Sequence, residues 1–155
     1  MMQVPIIQTH RCSLSAVSRN DIPVLLQIIN DAETRRFMPD LCEVFHTPES
    51  LNAFINSFGQ YLLHNQGVLW GIRVQDKLIG FIGVMDIPDN ATLFYAVHPD
   101  YRKHGYLKEA LAVVIRFIND SNLCPSIHSE VFADNYISQK ILTELGVSYV
   151  LRERG

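Results

Sequence analysis

The stretch that decides the fold is HPDYRKHGYLKEA, residues 98–110. An apolar, β-prone run ends just before it at Val97, and Pro99 then stops the strand. A short basic loop with a single glycine, Gly105, follows, and an amphipathic helix begins directly after it. The first turn of a helix carries backbone N–H groups without partners inside the helix, and the macrodipole makes that end positive. The order of strand, basic loop and helix therefore predicts a binding site for a phosphate or pyrophosphate group.

The composition restricts the class of protein. A chain of 155 residues predicts one domain over residues 1–155, and 48% hydrophobic residues are enough for a core. The formal charge of −3 argues against nucleic-acid binding. We find no apolar run of membrane-spanning length and no leader pattern, so we expect no membrane contact. Three distant cysteines without CxxC spacing predict free thiols rather than disulfides or a metal site, and hence a cytoplasmic protein.

Hydrophobic periodicity predicts ten elements in the order βααβββαβαβ. The predicted strands cover residues 6–14, 68–74, 78–87, 91–97, 127–132 and 147–151. The predicted helices open at Asp21, at Thr47-Pro48, after Gly105 and at Asp134 or Asn135. Residues 33–46 are predicted to be irregular, with a turn at residues 38–40. The expected fold is α+β, an α/β sandwich with a mixed central sheet of about six strands flanked by about four helices.

Short motifs along the chain occur in the order known from one superfamily. They are Asn30-Asp31, Arg36-Phe37-Met38-Pro39, Trp70-Gly71-Ile72, Leu78-Ile79-Gly80-Phe81-Ile82-Gly83, Tyr95-Ala96-Val97-His98-Pro99, Gly105-Tyr106-Leu107-Lys108-Glu109-Ala110, and Asn135-x-x-Ser138 followed by Leu145-Gly146. With the element order, they make nearly the whole chain resemble the GNAT superfamily, and within it the RimJ/RimL-type branch, which acetylates protein N-termini and other amines. The resemblance implies a GNAT-like acyl-CoA N-acyltransferase fold. It also implies direct transfer of an acetyl group from acetyl-CoA to a primary amine through a ternary complex.

The resemblance also implies the cofactor-binding residues. The family signature (Q/R)xxGx(G/A) reads Arg102-Lys103-His104-Gly105-Tyr106-Leu107 here, with Leu107 in place of a small residue. In the family, backbone N–H groups of this loop bind the pyrophosphate of coenzyme A. In the family, the strands before and after the helix that follows this loop splay apart. The resemblance therefore implies that Val97 and its neighbours contact the pantetheine arm. Asn135 would contact that arm or an ordered water, and a simple helix cap would also explain it. The alternative for the loop is an ordinary solvated helix cap.

The catalytic residues are less clear from the sequence. Many family members place a tyrosine acid seven residues after the asparagine, where this chain has Leu142. Ser138 is then the nearest candidate donor of a proton to the leaving thiolate, although serine is also common in a first helical turn. Glu130 is a candidate base because a carboxylate in an apolar strand needs a reason, which solvent exposure at a strand end would also supply. Asp86 and Tyr95 are the other candidate bases.

The acceptor amine is not identified by any motif. Phe37, Met38, Phe45 and Trp70 are candidates for lining its pocket, since the family builds the acceptor site partly from this region. The alternatives to an enzyme are a non-catalytic acyl-CoA-binding module and a phosphate-binding domain unrelated to coenzyme A. Only one short strand follows the last helix, where the family normally adds another. The exposed sheet edge that results favours a homodimer.

Overall fold

A computed structural model describes residues 1–154, which form one seven-stranded sheet between helices. The strands are β1 (Ile7–Gln8), β2 (Ser13–Ala16), β3 (Val68–Val74), β4 (Lys77–Met85), β5 (Asn90–Val97), β6 (Ser126–Phe132) and β7 (Ser148–Arg152). Their spatial order equals their chain order. Neighbours are antiparallel from β1 to β5, whereas β5 with β6 and β6 with β7 are parallel. Each parallel pair needs a crossover, and a helix supplies it in both cases.

Six helices flank the sheet. They are α1 (Ile22–Ile29), α2 (Ala32–Phe37), α3 (Pro39–Val44), α4 (Pro48–Leu63), α5 (Tyr106–Asp120) and α6 (Tyr136–Glu144). Two short 3-10 turns precede α1 and α5. The start of α4 is the one the sequence indicates: Thr47 caps the helix by accepting a hydrogen bond from the Ser50 N–H, and proline occupies the first helical position. The α+β class is confirmed, with seven strands and six helices rather than about six and about four.

Two sequence predictions are wrong in detail. The predicted strand over residues 6–14 is the hairpin of β1 and β2, closed where the Thr9 N–H donates to the Cys12 C=O (2.9 Å). The segment predicted to be irregular, residues 33–46, forms α2 and α3, separated by Met38 with φ −136° and ψ 54°. Each of these helices has six residues, which is too short for a periodic apolar stripe to show.

Two apolar clusters pack on the two faces of the sheet. Leu93 and Val97 of β5 belong to the cluster under α5 and α6, whereas Ala96 belongs to the cluster under α1 and α4. The alternation along β5 therefore assigns each side chain to one face. Trp70 is fully buried in the first cluster and donates from Nε1 to the Pro5 C=O (2.8 Å), so its predicted role in an acceptor pocket is wrong. No helix within residues 1–154 is long and apolar enough to cross a membrane.

Candidate functional site

The sheet opens between β5 and β6. The two strands pair only over their first three positions, from Asn90 opposite Ser126 to Thr92 opposite His128. One side-chain contact follows, where the Ser129 Oγ donates to the Leu93 C=O (2.8 Å). Beyond it, both strands continue for several residues without pairing to each other. The splay that the family resemblance implies is therefore present.

The backbone of β5 exposes specific groups to this opening. The His98 N–H donates to the Ile79 C=O of the neighbouring strand (2.7 Å). In an antiparallel ladder, every second residue bonds to the same neighbour, so the backbone groups of Ala96 and Phe94 are also used by β4. The backbone N–H and C=O groups of Tyr95 and Val97 consequently point into the opening between β5 and β6. An extended chain lying there would pair with them as a strand does. Val97, which is predicted to contact the cofactor, lies on this open edge.

The N-terminus of α5 adjoins the same opening. Gly105 precedes the helix with φ 80°, and Lys103 also has a positive φ of 65°. The first backbone hydrogen bond of the helix runs from the Glu109 N–H to the Gly105 C=O (3.1 Å), so the preceding N–H groups have no partner within the helix. No side chain within residues 1–154 caps this end. The N–H groups of Tyr106, Leu107 and Lys108 therefore point outward at the positive end of the helix, and such an arrangement forms an anion-binding site.

The Arg102 side chain braces the loop instead of extending from it. Its guanidinium donates to the Asp31 carboxylate (2.7 Å) and to the Thr34 Oγ1 (3.1 Å), and it pairs with Glu33 (3.0 Å). Partial burial would raise the pKa of Asp31, but the hydrogen bonds from Arg102 and Thr34 and the charge of Arg102 together lower that pKa. With its guanidinium held by α2, Arg102 leaves the backbone N–H groups as the donors of the loop.

A second brace holds the first turn of α5 against the β1–β2 hairpin. The Glu109 carboxylate accepts hydrogen bonds from the Thr9 hydroxyl, the Arg11 N–H (2.7 Å) and the Arg11 Nε (2.8 Å). The Arg11 guanidinium also stacks over the Tyr106 ring, 4.3 Å from its centre. Partial burial would raise the pKa of Glu109, but these hydrogen bonds lower it to about 2. Sequence reasoning missed this contact because about a hundred residues separate the partners.

One cavity of about 790 Å³ connects the loop, the opening and helices α2 to α4. From the loop and α5 it is lined by Arg102, Lys103, Gly105, Tyr106, Leu107 and Lys108, and from the opening by Tyr95, Val97, Ser129, Glu130, Asn135 and Ser138. Its far end is lined by Phe37, Met38, Leu41, Phe45, Phe54, Met85 and Phe94. The exposed side chain of His104 does not line it, and neither does Asp86, which accepts a hydrogen bond from Thr92.

Two hydroxyl groups meet across the opening. The Tyr95 hydroxyl of β5 is hydrogen-bonded to the Ser138 Oγ of α6. Burial raises the pKa of Tyr95, so its hydroxyl is protonated at neutral pH. The Asn135 Oδ1 accepts from the Ser138 N–H (3.2 Å), so this asparagine caps α6 and also lines the cavity. Leu142, at the position of the family's tyrosine, is fully buried and offers no proton.

Comparison with known proteins identifies the family. The model of the acetyltransferase (GNAT) domain matches residues 11–148 of this chain. The uncharacterized N-acetyltransferase YoaA of Bacillus subtilis (strain 168) is 24% identical over 147 residues, which cover 92% of this chain and 82% of that protein. The chain therefore belongs to the GNAT family of acetyltransferases. The predicted family and the acyltransferase class are confirmed.

Solved structures share the fold at low sequence identity. RimL, a ribosomal L7/L12 alpha-N-protein acetyltransferase solved with coenzyme A, superposes with a TM-score of 0.82 at 15% identity, covering 91% of this chain and 82% of that one. The microcin C7 self-immunity acetyltransferase MccE, solved with acetyl-CoA and AMP, gives 0.75 at 16% identity over 88% and 78%. RimJ of Mycobacterium smegmatis, solved with a CoA-disulfide, gives 0.74 at 17% identity over 92% and 74%.

Proposed function

We propose that this protein transfers an acetyl group from acetyl-CoA to a primary amine by direct attack within a ternary complex. The observation that carries the proposal is the meeting of an uncapped helix N-terminus and an unpaired strand edge in one cavity. The first suits a pyrophosphate and the second an extended amide-bearing arm, and coenzyme A contains both groups. The solved relatives RimL and MccE, which hold coenzyme A and acetyl-CoA, support the same donor.

The proposed cofactor-binding residues follow from this arrangement. They are Val97, Arg102, Lys103, His104, Gly105, Tyr106, Leu107 and Asn135. The backbone N–H groups of Tyr106 and Leu107 would hold the pyrophosphate, and the bulk of the Leu107 side chain leaves its own N–H available. The Lys103 ammonium would add positive charge beside the phosphates, and His104 would contribute through the backbone of the loop. Gly105 permits the left-handed turn, and a Cβ there would lie 3.3 Å from the Arg11 Nη2.

Acetyl-CoA supplies a thioester, whose carbonyl carbon is open to attack and whose sulfur leaves as a thiolate. The attacking amine must be neutral, and we assign the Glu130 carboxylate as the base that accepts its proton. Backbone N–H groups on the open edge of β5 would stabilise the negative charge that develops on the carbonyl oxygen. Ser138 would donate a proton to the leaving sulfur, and the Tyr95 hydroxyl would replace that proton through their hydrogen bond. Tyr95 would then regain a proton from solvent water, and Glu130 would release the amine proton to solvent, so that the protons balance over one turnover.

Measuring thiol release from acetyl-CoA, with and without amines, tests this function. We expect thermal stabilisation by acetyl-CoA and thiol release that depends on an added amine. Stabilisation without release on any amine or peptide would instead show a non-catalytic acyl-CoA-binding module. The absence of stabilisation would indicate a phosphate site unrelated to coenzyme A.

We also propose a homodimer and a cytoplasmic location. Strand β7 forms one edge of the sheet and exposes more than half of Val150 and of Leu151. An edge strand with exposed apolar side chains is a ready surface for pairing with a second chain. Size-exclusion chromatography with light scattering tests the dimer, and Val150→Lys should reduce it.

A further inference from the structure

The far end of the cavity has an aromatic wall, formed by Phe45, Phe54 and Phe94. The ring centres of Phe45 and Phe54 are 4.8 Å apart, and those of Phe54 and Phe94 are 6.3 Å apart. Phe45 and Phe94 are only half-buried, so the wall is an accessible surface and not a sealed core. Met38, Leu41 and Met85 extend the same apolar lining.

The aromatic wall lies on the opposite face of the sheet from the Tyr95–Ser138 pair. Successive side chains of a strand point to opposite faces, so Tyr95 lies on the face of α5 and α6, and Phe94 on the face of α1 and α4. The cavity reaches both faces because β5 and β6 part between them. The cavity therefore connects the side of α5 and α6, where the donor is proposed to bind, with the side on which the aromatic wall lies.

Glu130 shares the face of the aromatic wall. Thr92 is paired with His128, and residues paired in this way point to the same face, so Phe94 and Glu130, each two residues later, also do. The other carboxylates that line the cavity have cationic partners: Glu33 pairs with Arg102, Asp40 with Arg152, and Glu144 with Lys108. Within residues 1–154, Glu130 forms no salt bridge. Among the described residues that line the cavity, Glu130 is thus the carboxylate without a salt bridge; its side chain is exposed and lies on the same face of the sheet as the aromatic wall.

We infer that the acceptor is a monoamine with an apolar, aromatic-sized body, such as an arylalkylamine or the N-terminus of a peptide that begins with an aromatic residue. This inference rests on the proposed acetyl transfer. Glu130 would take the single amino group, and Phe45, Phe54 and Phe94 would contact the body. A polyamine would place further ammonium groups, and a hydroxyl-bearing amine its hydroxyl, against a wall with no partner for them, which costs binding energy.

The test compares kcat/KM for 2-phenylethylamine, ethanolamine and spermidine, and for two peptides that differ only in having phenylalanine or serine first. We expect 2-phenylethylamine to exceed ethanolamine and spermidine by at least about tenfold, since a small apolar difference in a matched pocket already gives that much. The peptide pair distinguishes the source of the amine: a phenylalanine-first peptide as good as 2-phenylethylamine indicates a protein N-terminus, and a poor one indicates a small amine.

Phe45→Ser should lower the preference for 2-phenylethylamine over ethanolamine at least about fivefold, mainly through KM, and Phe45→Leu should lower it less. Phe58→Leu is the matched control, because Phe58 packs on Phe54 (5.1 Å between ring centres) but does not line this cavity. It should lower the melting temperature and leave the preference unchanged. The Phe45→Leu variant keeps the test valid if the serine variant fails to fold.

Transfer to ethanolamine or spermidine as efficient as to 2-phenylethylamine overturns this inference alone. A preference that survives both Phe45 variants overturns it as well. Transfer to other amines or peptides but not to 2-phenylethylamine or the phenylalanine-first peptide also overturns this inference alone. Stabilisation by acetyl-CoA without transfer to any amine or peptide overturns the proposed function, and the inference with it. Titration calorimetry with 2-phenylethylamine on the CoA-bound protein is the separate binding measurement, and a lack of detectable heat at millimolar amine also contradicts the inference.

Discussion

Replacing Ser138 by alanine removes one hydroxyl from the cavity and leaves the surrounding backbone as it is. The Ser138 side chain is buried, and its hydroxyl is hydrogen-bonded to Tyr95. The Ser138 N–H, which donates to Asn135, is unaffected by the change, so the cap of α6 persists. Any loss of activity therefore reports on the hydroxyl and its proton, not on the position of the helix.

Ser138→Ala should change both the rate of acetyl transfer and the stability of the fold. A positioned proton donor contributes about 10²- to 10⁴-fold to a rate, so kcat for Ser138→Ala should fall at least about a hundredfold. The Tyr95 hydroxyl would lose its hydrogen bond to Ser138, and a lost hydrogen bond to a buried group costs about 1–3 kcal/mol. In a chain of this length, that corresponds to a fall in melting temperature of several degrees. The KM for acetyl-CoA should stay within about twofold, because the loop and the strand edge are unchanged.

Single-turnover measurement of thiol release, together with thermal unfolding, checks these values. Ser129→Ala is the matched control, since it also removes a buried hydroxyl that lies beside Tyr95, but one that donates to the Leu93 C=O and so holds β5 to β6 instead of serving the sulfur. It should lose comparable stability but less than about threefold in kcat. If Ser138→Ala kept kcat within threefold of the parent, or if Ser129→Ala lost as much, Ser138 would not be the proton donor.

Three further changes have defined outcomes. Glu109 has a pKa of about 2, below its usual 4.5, because Thr9 and Arg11 donate hydrogen bonds to its ionised form. After a discount for solvent screening at this partly exposed site, that form stabilises the fold by about 1–2 kcal/mol above pH 4.5, and this is lost as pH falls toward 2. In Glu109→Gln, the free energy of unfolding in urea should change less between pH 5 and pH 3 than it does in the parent. An equal change in both proteins would refute the claim that ionised Glu109 stabilises the fold. Glu130→Gln should lower kcat/KM at least about a hundredfold at pH 7 and less at pH 10, where the amine loses its proton unaided; a uniform loss across pH would argue against a base. Arg102→Ala frees the loop from Asp31 and should weaken acetyl-CoA binding about tenfold or more by calorimetry, while an unchanged affinity would show that the loop needs no brace.

The sequence predicts those parts of the fold that depend on local chemistry. The cap at Thr47, the alternation along β3 and the glycine before α5 each act within a few residues, so the pattern shows them directly. The helices α2 and α3 were missed because each is too short for a stripe, and their stability comes from contacts such as Asp31 with Arg102. The helix with the strongest N-terminal signals, α4, was correctly placed.

The same distinction between local features and long-range contacts applies to the candidate site. The loop at residues 102–107 could be identified because the anion site is built from consecutive backbone groups. The Tyr95–Ser138 pair could not, because 43 residues separate two ordinary hydroxyls that only the splayed sheet brings together. The sequence indicates only part of the aromatic wall: Phe45 is a candidate, whereas no local pattern distinguishes Phe54 and Phe94, which line the cavity in the folded chain. Trp70, an equally plausible candidate, lies on the other face of the sheet.

Thermal unfolding with and without acetyl-CoA, in the parent protein and in Gly105→Glu, tests the central claim most directly. At a hundred times its Kd, the donor should add about 2.7 kcal/mol, or roughly 5–10 °C in melting temperature. Gly105→Glu should lose this shift, since it places a carboxylate at the anion site. Gly146→Glu is the matched control: Gly146 also has a positive φ (72°), so the backbone strain is similar, but it lies outside the cavity. The Gly146→Glu variant should melt at a lower temperature than the parent and keep the full increase in melting temperature on addition of acetyl-CoA. No shift in the parent, or an equal shift in Gly105→Glu, would contradict the assignment of this loop to acetyl-CoA.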